Sequence, residues 1–413
     1  MHAKRKLMIL GAGMCQVPII QKAQRMRFET IAVSIPGPYP GFRVSDRYYE
    51  VDVRDRQRIL EIAQDERICG ILTDQTDIPV PTVAYVAERM GLPGIGYECA
   101  LRFTHKGEMR RFCERVGIPV PKHGRATSRR EAYEIAETFG FPVVIKPMDS
   151  QGSRGVSLVE SFREIEVKFP EALRYSGCGE VIIEEFFPGK EIVVEGFVSE
   201  FAVTNLVIGD REYFDLPNLF IPKTTLFPCN LEDRLREKIL GVNTRLLQEF
   251  GLPFGITHSE YLVDEETGEL RLVEVAARGG GVFISSDLIP AACGIDVNEL
   301  LIWTVTGERS IRIPAGGLLG AASGYVCFTL PRGVIRAVRN LEAVAAMPGV
   351  LRTYLDGLRI GAAVREMRDK TDRLGPILMA DKDRSSLCEA LKAVKETLAV
   401  EVETAEGLGG VQW

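Results

Sequence analysis

The sequence predicts a protein of the α/β class, in which a parallel sheet comes first and mixed α+β units follow. Apolar strand-like runs alternate with amphipathic helical runs over the first hundred residues, which is typical of a parallel sheet covered by helices. Later strands are joined by short turns, and the 413 residues are enough for about two to three domains. We therefore expect domains over 1–100, 101–307 and 308–413.

The first of these units consists of three strand–helix pairs. Its predicted strands are LMILGAG, ETIAVSI and ICGILTD, and its predicted helices are QVPIIQKAQRM, RQRILEIAQDE and PTVAYVAERMG. The glycine turn GAGMCQ at 11–16 lacks the third glycine of a GxGxxG fingerprint. A dinucleotide site is therefore not expected in this domain.

The second unit combines helices with mostly antiparallel strands. A helix over KGEMRRFCERVG ends at Gly117, and Ser128 with Glu131 forms a capping box before the next helix. The strands FPVVIKP and GVSLVE follow, then EVIIEEFFPGKEIVVEGFVSE as two strands with a turn at 188–189. A long helix over about 231–250 precedes the hairpin HSEYLVD–EETG–ELRLVEV.

The third unit has strand-like pieces, a turn at 348–349 and a helix over SSLCEALKAVKETL, for which Ser386 and Glu389 suggest a capping box. Residues 313–331 carry no charge over 19 positions. Four glycines in this stretch favour buried strand and turn over a membrane span, which needs about 20 strongly apolar residues.

Composition excludes several classes of protein. A net charge of −6 and a pI of about 5.6 argue against a nucleic acid partner. The nine cysteines form no CxxC motif and the four histidines do not cluster, so no zinc site, transition-metal centre or disulfide framework is expected. The basic start of the chain lacks a cleavage site. A cytoplasmic protein that does not enter a membrane is the expectation.

The stretch VVIKPMDSQGSRGVSLV places Lys146 at the end of a strand, followed directly by a loop with Gly152, Ser153 and Gly155. A lysine in an apolar run is costly to bury without an anion. Glycines let backbone N–H groups approach phosphate oxygens closely. The loop indicates phosphate binding, and a plain hairpin with a lysine that reaches solvent remains the alternative.

The segment VIIEEFFPGKEIVVE carries Glu184, Phe186, Phe187 and Glu191. Apolar side chains beside backbone donors and acceptors suit a flat purine, and a carboxylate a few residues later can accept hydrogen bonds from ribose hydroxyls. A charged strand end with a core pair of aromatic rings explains the same residues.

The strongest physical argument for a metal site comes from the predicted hairpin. Alternation puts Glu260 and Leu262 on one face of the first strand. It also puts Leu270, Leu272 and Glu274 on one face of the second strand. A turn of five residues would then set Glu260 opposite Glu274. At about 4 Å and an effective dielectric constant of about 20, two like charges repel by roughly 4 kcal/mol. Mg²⁺, which takes carboxylate and phosphate oxygens together, would remove this repulsion. A shifted register or a solvent-facing pair remains the alternative.

The sequence RGGG (278–281) follows the hairpin and offers a guanidinium and open backbone to an anion. Together, these motifs resemble the ATP-grasp superfamily over nearly the whole chain, and the ordered set from Lys106 to Gly281 is specific to it. The resemblance implies a Rossmann-like N-terminal domain, an ATP-grasp nucleotide-binding domain and a C-terminal α+β domain.

The roles implied by the resemblance can be stated residue by residue. Lys106 and Lys146 correspond to the lysines on the ATP phosphates, and the loop with Gly152, Ser153 and Gly155 corresponds to the flap above them. The remaining correspondences are Glu184, Phe186 and Phe187 for the adenine linker, Glu191 for the ribose, Glu260 and Glu274 for Mg²⁺ or Mn²⁺, and Arg278 for the acyl-phosphate step. His258, Gly280 and Gly281 are candidates for contact with the substrate.

Two positions depart from the family pattern. Ala276 stands where E-x-N-x-R has an asparagine that helps to hold a second magnesium ion, which leaves two-metal binding open. His105 stands before Lys106, where aspartate is common.

THSEY and the C-terminal segments resemble the L-amino-acid ligases and carbamoyl-phosphate-synthase-like members. The resemblance implies an ATP-dependent carboxylate–amine ligase that acts through an acyl phosphate and releases ADP, with small-molecule substrates including an amino acid. A bicarbonate-using carboxylase and a non-catalytic ATP-binding module remain alternatives. Family members often dimerise, which leaves a homodimer open.

Overall fold

A computed structural model describes residues 4–150, 152–216, 219–308, 313 and 320–413. The N-terminal part is a parallel sheet with strand order β3-β2-β1-β4 and helices around it. Its strands are β1 (Lys6–Leu10), β2 (Glu29–Ser34), β3 (Arg47–Glu50) and β4 (Gly70–Leu72). Its helices are α1 (Val17–Arg25), α2 (Pro40–Val44), α3 (Arg56–Glu66), α4 (Val80–Met90) and α5 (Tyr97–Thr104). The predicted alternation of strands and helices is confirmed.

A four-stranded antiparallel sheet follows, in the order β5-β8-β6-β7. It is built from β5 (His123–Ala126), β6 (Val143–Pro147), β7 (Ser157–Val159) and β8 (Val181–Glu185). The helices of this part are α6 (Lys106–Arg115), α7 (Arg129–Phe139) and α8 (Phe162–Arg174). The predicted capping box at the start of α7 is confirmed, because Ser128 and Glu131 cap each other's backbone N–H groups.

An eight-stranded antiparallel sheet faces this smaller sheet and continues into the C-terminal part of the chain. Its order is β13-β12-β9-β10-β11-β14-β18-β16. The strands are β9 (Lys190–Ser199), β10 (Ala202–Tyr213), β11 (Pro222–Phe227), β12 (Gly255–Val263), β13 (Leu270–Ala276), β14 (Ala322–Phe328), β16 (Val350–Thr353) and β18 (Leu374–Asp381). Helix α9 (Asp233–Phe250) confirms the predicted long helix. The ladder between β11 and β14 joins the second and third regions without a break.

The remaining elements complete the C-terminal part. A third antiparallel sheet contains β15 (Gly333–Arg339), β17 (Ala363–Val364), β19 (Ala399–Thr404) and β20 (Gly407–Gly409). The helices are α10 (Ile289–Cys293), α11 (Val297–Val305), α12 (Leu341–Ala345) and α13 (Arg384–Thr397), with a π-helical turn at Ile284–Leu288. One apolar core packs Ile9, Phe197 and Leu378 into the same cluster, so all three regions share it.

The structure corrects three predictions about local geometry. Helix α13 is capped by Asp383, whose side chain accepts from the Ser386 N–H, so Ser386 lies in the first turn and is not the cap. The turn of the β12–β13 hairpin is shorter than the predicted five residues, because Val263 lies opposite Leu270 and the Asp264 N–H donates to the Glu269 carbonyl at 2.9 Å. Leu272 does not share a face with Glu274, because a β-bulge shifts the hairpin register between them.

The bulge restores the predicted carboxylate pair, because the register of Val263 with Leu270 would otherwise set Glu260 opposite Val273. Glu260 lies opposite Glu274 as predicted, whereas Tyr261 lies opposite Leu272, and both of these side chains are fully buried. The extra residue, Val273, turns the leucines of β13 to the core and Glu274 to the other face.

Residues 314–319 of the uncharged segment 313–331 lie outside the described residues, and its second half forms β14. Among the residues that the structure describes, no single helix has the length and apolar character to cross a membrane. One pair of helices bent by 119°, Ile284–Cys293 and Val297–Val305, meets those criteria together by length and composition only.

Candidate active site

A cleft lies between the four-stranded sheet and the eight-stranded sheet. It encloses a cavity of about 260 Å³. Eleven of the fifteen predicted site residues line it: Lys106, Lys146, Gly152, Ser153, Glu184, Phe186, Phe187, Glu191, Glu260, Glu274 and Arg278. The other four, Gly155, His258, Gly280 and Gly281, are also described by the structure and lie outside the lining. The fold therefore gathers residues that are up to 172 positions apart in the sequence, from Lys106 to Arg278.

Lys146 has a protein partner in the cleft. Its Nζ donates to Glu184 Oε2 at 2.5 Å, and Arg110 Nε donates to Glu184 Oε1 at 2.7 Å. Burial opposes ionisation of this carboxyl, but the charges of Arg110 and Lys146 outweigh it and lower the pKa of Glu184 to about 2. Glu184 thus holds the Lys146 ammonium at the cleft wall.

Lys106 begins helix α6 and reaches the flap. Its Nζ donates to the Ser150 carbonyl at 2.6 Å. The preceding residue, His105, is the N-cap of α6, and its Nδ1 accepts the Glu108 N–H at 3.2 Å. This explains why histidine fits a position where aspartate is common in the family, since both side chains supply an acceptor for the first turn.

The flap contains three residues in left-handed backbone conformations. Gly152, Ser153 and Gly155 have φ values of 81°, 57° and 70°. A Cβ on Gly155 would lie 2.9 Å from side-chain atoms of Pro147 and Tyr175, so only glycine fits there. Gly155 therefore shapes the base of the flap, whereas Gly152 and Ser153 face the cleft.

The side of the cleft predicted for adenine and ribose contains aromatic and acidic groups. The Phe186 N–H donates to the Pro142 carbonyl at 3.3 Å, and the Arg271 guanidinium lies over the Phe187 ring at 4.9 Å. Glu191 accepts from Arg211 Nη1 at 2.6 Å and from the Tyr213 hydroxyl. Burial and the nearby Glu260 charge raise the pKa of Glu191, against the opposing effect of Arg211.

The paired carboxylates of the hairpin face the cleft. Glu260 Oε1 accepts from Arg211 Nη1 at 2.6 Å and lies 2.9 Å from His258 Nε2. Burial opposes ionisation, but Arg211 and His258 outweigh it, so the pKa of Glu260 lies well below its usual range. Arg211 and His258 both contact Oε1 of Glu260. Oε1 of Glu274 lies 3.8 Å from Arg278 Nη2. The remaining oxygens form a hard, anionic donor set that fits Mg²⁺.

Arg278 is fixed by a residue of the N-terminal part of the chain, which contains the parallel sheet. Its Nε and Nη2 donate to the two Asp77 oxygens at 2.7 and 2.8 Å, which is a bidentate pair. Burial opposes the charged form, but Asp77 and Glu274 outweigh it and raise the pKa of Arg278. The guanidinium stays charged and in a fixed orientation.

The glycines after Arg278 differ in their surroundings. A Cβ on Gly279 would lie 2.5 Å from Ser285 Cβ, and one on Gly280 would lie 2.4 Å from Glu195 Oε1. A Cβ on Gly281 would meet nothing within 4 Å. The Gly280 N–H donates to Glu195 Oε2 at 3.1 Å, so this loop is held close to a buried carboxylate. Val282 and Phe283 follow with φ values of 62° and 60°, which is rare for a β-branched residue.

His258 links the glycine loop to the carboxylate pair. It is 3% exposed, and its Nδ1 lies 2.5 Å from Glu195 Oε1 while its Nε2 lies 2.9 Å from Glu260 Oε1. Burial favours the neutral ring, but the two carboxylates outweigh it and raise the pKa of His258 to about 9. His258 pairs across the hairpin with Ala276, the position where the family usually has asparagine.

Sequence reasoning missed several residues of the cleft. Asp77, Arg211, Tyr213 and Lys370 line the cavity, and Arg110 and Glu195 hold its charged groups from behind. Each is a single charged or polar residue in an ordinary context, so no spacing rule singles it out. Desolvation by the surrounding cleft walls, with Arg373 and Arg278 nearby, lowers the pKa of Lys370 against the pull of Glu260 and Glu274, but the lowering is modest because this side chain is exposed to solvent.

A second cavity of about 320 Å³ adjoins the first. The two cavities share Asp77, Lys106, Ser150 and Glu274 in their linings. Arg56 and Tyr97 lie on its far side, and Arg56 Nη1 donates to the Tyr97 hydroxyl at 2.6 Å. There is thus room for a second small molecule next to the end of the main cleft that carries Lys106 and Glu274.

Ligand atoms of His105, Cys178 and Glu180 lie within 4.8 Å of one another. His105 Nδ1 already accepts the Glu108 N–H, so its Nε2 carries the proton in the neutral ring and is not free to bind a metal. Glu180 is paired with Arg125 at 2.7 Å. The expectation of no transition-metal centre stays a prediction.

Two family models match the chain. The model for the carbamoyl-phosphate synthase L chain, ATP binding domain, matches residues 105–309, and that for the L-amino acid ligase C-terminal domain 2 matches residues 326–403. A formate-dependent phosphoribosylglycinamide formyltransferase of Sulfolobus acidocaldarius is 30% identical over 74% of this chain and 81% of that relative. An uncharacterized protein, y4rH, of Sinorhizobium fredii is 27% identical over 77% of this chain, and the match spans 65% of that relative.

Solved structures share the fold at low identity. An L-amino acid ligase from Bacillus licheniformis superposes with a TM-score of 0.80 at 19% identity, covering 98% of this chain and 100% of that one. The biotin carboxylase domain of a 2-oxoglutarate carboxylase from Hydrogenobacter thermophilus was solved in complex with MgADP and bicarbonate. It superposes with a TM-score of 0.75 at 16% identity, covering 100% of this chain and 92% of that one. Both comparisons describe the architecture alone.

Proposed function

Because the chain belongs to the ATP-grasp superfamily of ligases, we propose that it joins a small-molecule carboxylate to an amine through an acyl phosphate, with an amino acid as a substrate. As a member of this family, it is an ATP-dependent enzyme that uses Mg²⁺ and releases ADP. The product of the proposed reaction is an amide or a peptide bond.

The observation that carries the proposal is the arrangement of charge at one end of the cleft. Two carboxylates, Glu260 and Glu274, lie opposite each other on neighbouring strands. Lys106, Lys146 and Arg278 line the same cavity. Like charges across a sheet destabilise it unless a cation lies between them, and cations along a cleft attract phosphates. This is the set of groups that a bound Mg·ATP requires.

In the first step, an oxygen of the substrate carboxylate attacks the γ-phosphorus of ATP, and ADP leaves with the bond electrons. Such transfer depends on positioning and charge neutralisation and needs no protein nucleophile. Lys106 and Lys146 bind phosphate oxygens, and Glu260 and Glu274 hold Mg²⁺, which supplies further positive charge when bound. The flap around Gly152, Ser153 and Gly155 keeps water away from the acyl phosphate.

In the second step, the neutral amine attacks the acyl carbon. The tetrahedral oxyanion is stabilised by Arg278, which Asp77 holds in a fixed orientation. Phosphate leaves with the oxygen that came from the carboxylate, and the amine nitrogen loses one proton. The adjoining cavity gives the second substrate a place beside the reacting group.

Carboxylation of a substrate through carboxyphosphate is the second candidate. It is supported by the shared architecture with the biotin carboxylase domain whose structure contains MgADP and bicarbonate. ATP turnover that requires bicarbonate and no amino acid would favour this candidate over the first.

The test is release of ADP and phosphate from Mg·ATP, screened against amino acids singly and in pairs, with bicarbonate as a separate arm. We expect ADP only with a particular carboxylate and amine. When that carboxylate is labelled with ¹⁸O, one labelled atom should appear in the released phosphate. AMP and pyrophosphate as products, or unlabelled phosphate, would contradict the acyl-phosphate mechanism.

A further inference from the structure

The C-terminal domain places one lysine in the cleft. Lys370 lies in the segment 365–373 between β17 and β18. It lines the same cavity as Lys106, Lys146, Glu274 and Arg278, although it is 92 positions further along the chain than Arg278. The phosphate end of the cleft is therefore closed by a residue from outside the nucleotide-binding domain.

The ammonium of Lys370 differs from the other cations of the cleft. Lys106 donates to the Ser150 carbonyl, Lys146 is paired with Glu184, and Arg278 is paired with Asp77. Within the part of the chain that the structure describes, the Lys370 ammonium has neither a hydrogen bond nor a close ion pair, and Glu260 and Glu274 act on its charge only from a distance. The side chain is exposed to the water of the open cleft, so its ammonium can exchange that water for an anion bound there.

The segment that carries Lys370 is fixed in place. Arg373 Nη1 donates to the Pro222 carbonyl of β11 at 2.6 Å, and its Nε donates to the Lys370 carbonyl at 2.9 Å. The Arg368 N–H donates to Asp372 Oδ2 at 2.9 Å, which closes the turn around Lys370. The lysine thus extends from a turn that is anchored to the large sheet.

The aliphatic part of Lys370 contacts the flap. A Cβ on Gly152 would lie 3.0 Å from Lys370 Cε, which is tighter than ordinary van der Waals contact. Gly152 has a φ of 81°, so glycine suits this position for two reasons. The side chain of Lys370 therefore lies directly against the flap.

We propose that Lys370 is a further catalytic residue, which binds the oxyanion at the transfer end of the cleft. This oxyanion is either the γ-phosphoryl group of the nucleotide or the carboxylate that receives it. The proposal rests on the proposed function, because it assumes that a phosphoryl group is transferred here. The C-terminal domain then contributes directly to the chemistry, and the active site is complete only when that domain, the flap and the nucleotide are together.

The test uses Lys370→Met, which keeps the aliphatic contact with Gly152 and removes the charge, and Lys370→Arg, which keeps the charge. Lys382→Met is the matched control, because Lys382 is exposed on the same domain and lies outside the cleft lining. For each full-length protein, the dissociation constants of Mg·AMP-PNP and Mg·ADP are measured by calorimetry, together with the melting temperature. The KM for the carboxylate found in the screen is measured in turnover assays.

If the oxyanion is the phosphoryl group, Lys370→Met should weaken Mg·AMP-PNP by about tenfold or more and leave Mg·ADP unchanged. If it is the carboxylate, both nucleotides should bind as before and the KM for the carboxylate should rise by a similar factor. In either case, Lys370→Arg should recover part of the loss, and the control should match the wild type.

The proposal is overturned if Lys370→Met leaves all of these constants unchanged. It is also overturned if Mg·ADP affinity and melting temperature fall in both Lys370 variants, since this would indicate a structural role. If the wild type turns over no carboxylate, the ligase function fails separately, and the nucleotide arm alone decides the role of Lys370. In that case, equal Mg·AMP-PNP affinity in the wild type and Lys370→Met overturns the proposal that Lys370 binds the oxyanion.

Discussion

At the scale of single residues, the cleft is organised by pairs of opposite charge that hold one another in fixed positions. Glu184 is 1% exposed and lies between Arg110 and Lys146. Arg211 joins Glu191 to Glu260 through one nitrogen. Burying such groups is costly, and the cost is offset only because each carboxylate has a cation within hydrogen-bond distance. The charges are therefore already oriented before any nucleotide binds.

Removing the charge of Lys146 should weaken nucleotide binding. We expect Lys146→Met to raise the Kd of Mg·ATP by about tenfold to a hundredfold, since one charge-assisted contact with a phosphate is worth roughly 1.5–3 kcal/mol. The measurement is calorimetric titration. Lys122→Met is the control, because Lys122 is 71% exposed and pairs with Glu185 at the rim. Wild-type affinity in Lys146→Met would contradict the assigned role.

Removing one member of the carboxylate pair should alter the metal requirement. We expect Glu274→Gln to shift the Mg²⁺ concentration for half-maximal ATP turnover upward by about tenfold or more, because a neutral amide oxygen is a weaker ligand for a hard cation. Glu269→Gln, in the turn of the same hairpin, is the control and should behave as the wild type. The Mg²⁺ dependence is measured at saturating ATP. An unchanged Mg²⁺ dependence would show that Glu274 does not hold the metal.

His258 should make stability depend on pH. Its pKa rises to about 9 in the folded protein from an ordinary value near 6.5. The stabilisation is therefore fully present below about pH 6.5 and is lost as pH rises to about 9. We expect the difference in unfolding free energy between wild type and His258→Gln to shrink over this window by an amount on the order of 3 kcal/mol.

This difference is measured by urea unfolding at several pH values in the presence of a chelator. Comparing the two proteins at each pH removes the contributions of other titrating groups. A difference that stays constant between pH 6 and 9 would mean that His258 is neutral in the fold.

At the scale of elements, the hairpin of β12 and β13 and the glycine loop after it form one unit. The bulge in β13 turns Glu274 into the cleft, while Leu272 stays in the core. The loop then passes so close to Glu195 that Gly280 has no room for a side chain. Local backbone geometry, and not side-chain identity alone, places the reactive groups.

Two neighbouring glycines test this account. We expect Gly280→Ala to lower the free energy of unfolding by about 1–3 kcal/mol, because the added methyl group would overlap the buried Glu195 carboxylate. Gly281→Ala is the matched variant and should change it by less than about 0.5 kcal/mol, since open space surrounds that position. Chemical denaturation followed by fluorescence measures both. Equal effects of the two substitutions would contradict the predicted close approach.

At the scale of the whole molecule, residues from three regions meet at one site. Asp77 comes from the N-terminal part, Arg278 follows the hairpin, and Lys370 comes from the C-terminal part. The same three regions share one apolar core, and β14 extends the large sheet beyond β11. Arg384 at the start of α13 makes a bidentate pair with Asp210 of β10 at 2.6 and 2.8 Å, which further fixes the C-terminal part.

The contact between Asp77 and Arg278 should matter for turnover. We expect Asp77→Asn to reduce kcat by about tenfold to a hundredfold and to change the Kd of Mg·ADP by less than about threefold, because an amide no longer fixes both guanidinium nitrogens. Asp52→Asn, at an exposed position of the same domain, is the control. A wild-type kcat in Asp77→Asn would show that Arg278 needs no such support.

The sequence by itself determined most of the elements and placed Glu260 and Glu274 on neighbouring strands of one hairpin. Hydrophobic periodicity fixes the strands and helices, whereas the exact pairing of the two carboxylates depends on a shorter turn and on the bulge at Val273, which alternation does not predict. The ordered motifs from Lys106 to Gly281 were also sufficient to identify the family. These features depend on residues that are near one another in the chain.

Only the tertiary structure decided which charges meet. Arg110, Arg211 and Lys370 are single cations in sequence contexts typical of surface residues, and the bulge at Val273 breaks an otherwise regular alternation. Charge pairing acts through space over a few ångströms, so partners such as Arg278 and Asp77, 201 positions apart, carry no signal in local spacing. The order of strands in the large sheet brings these residues together, and no single segment of the chain encodes that order.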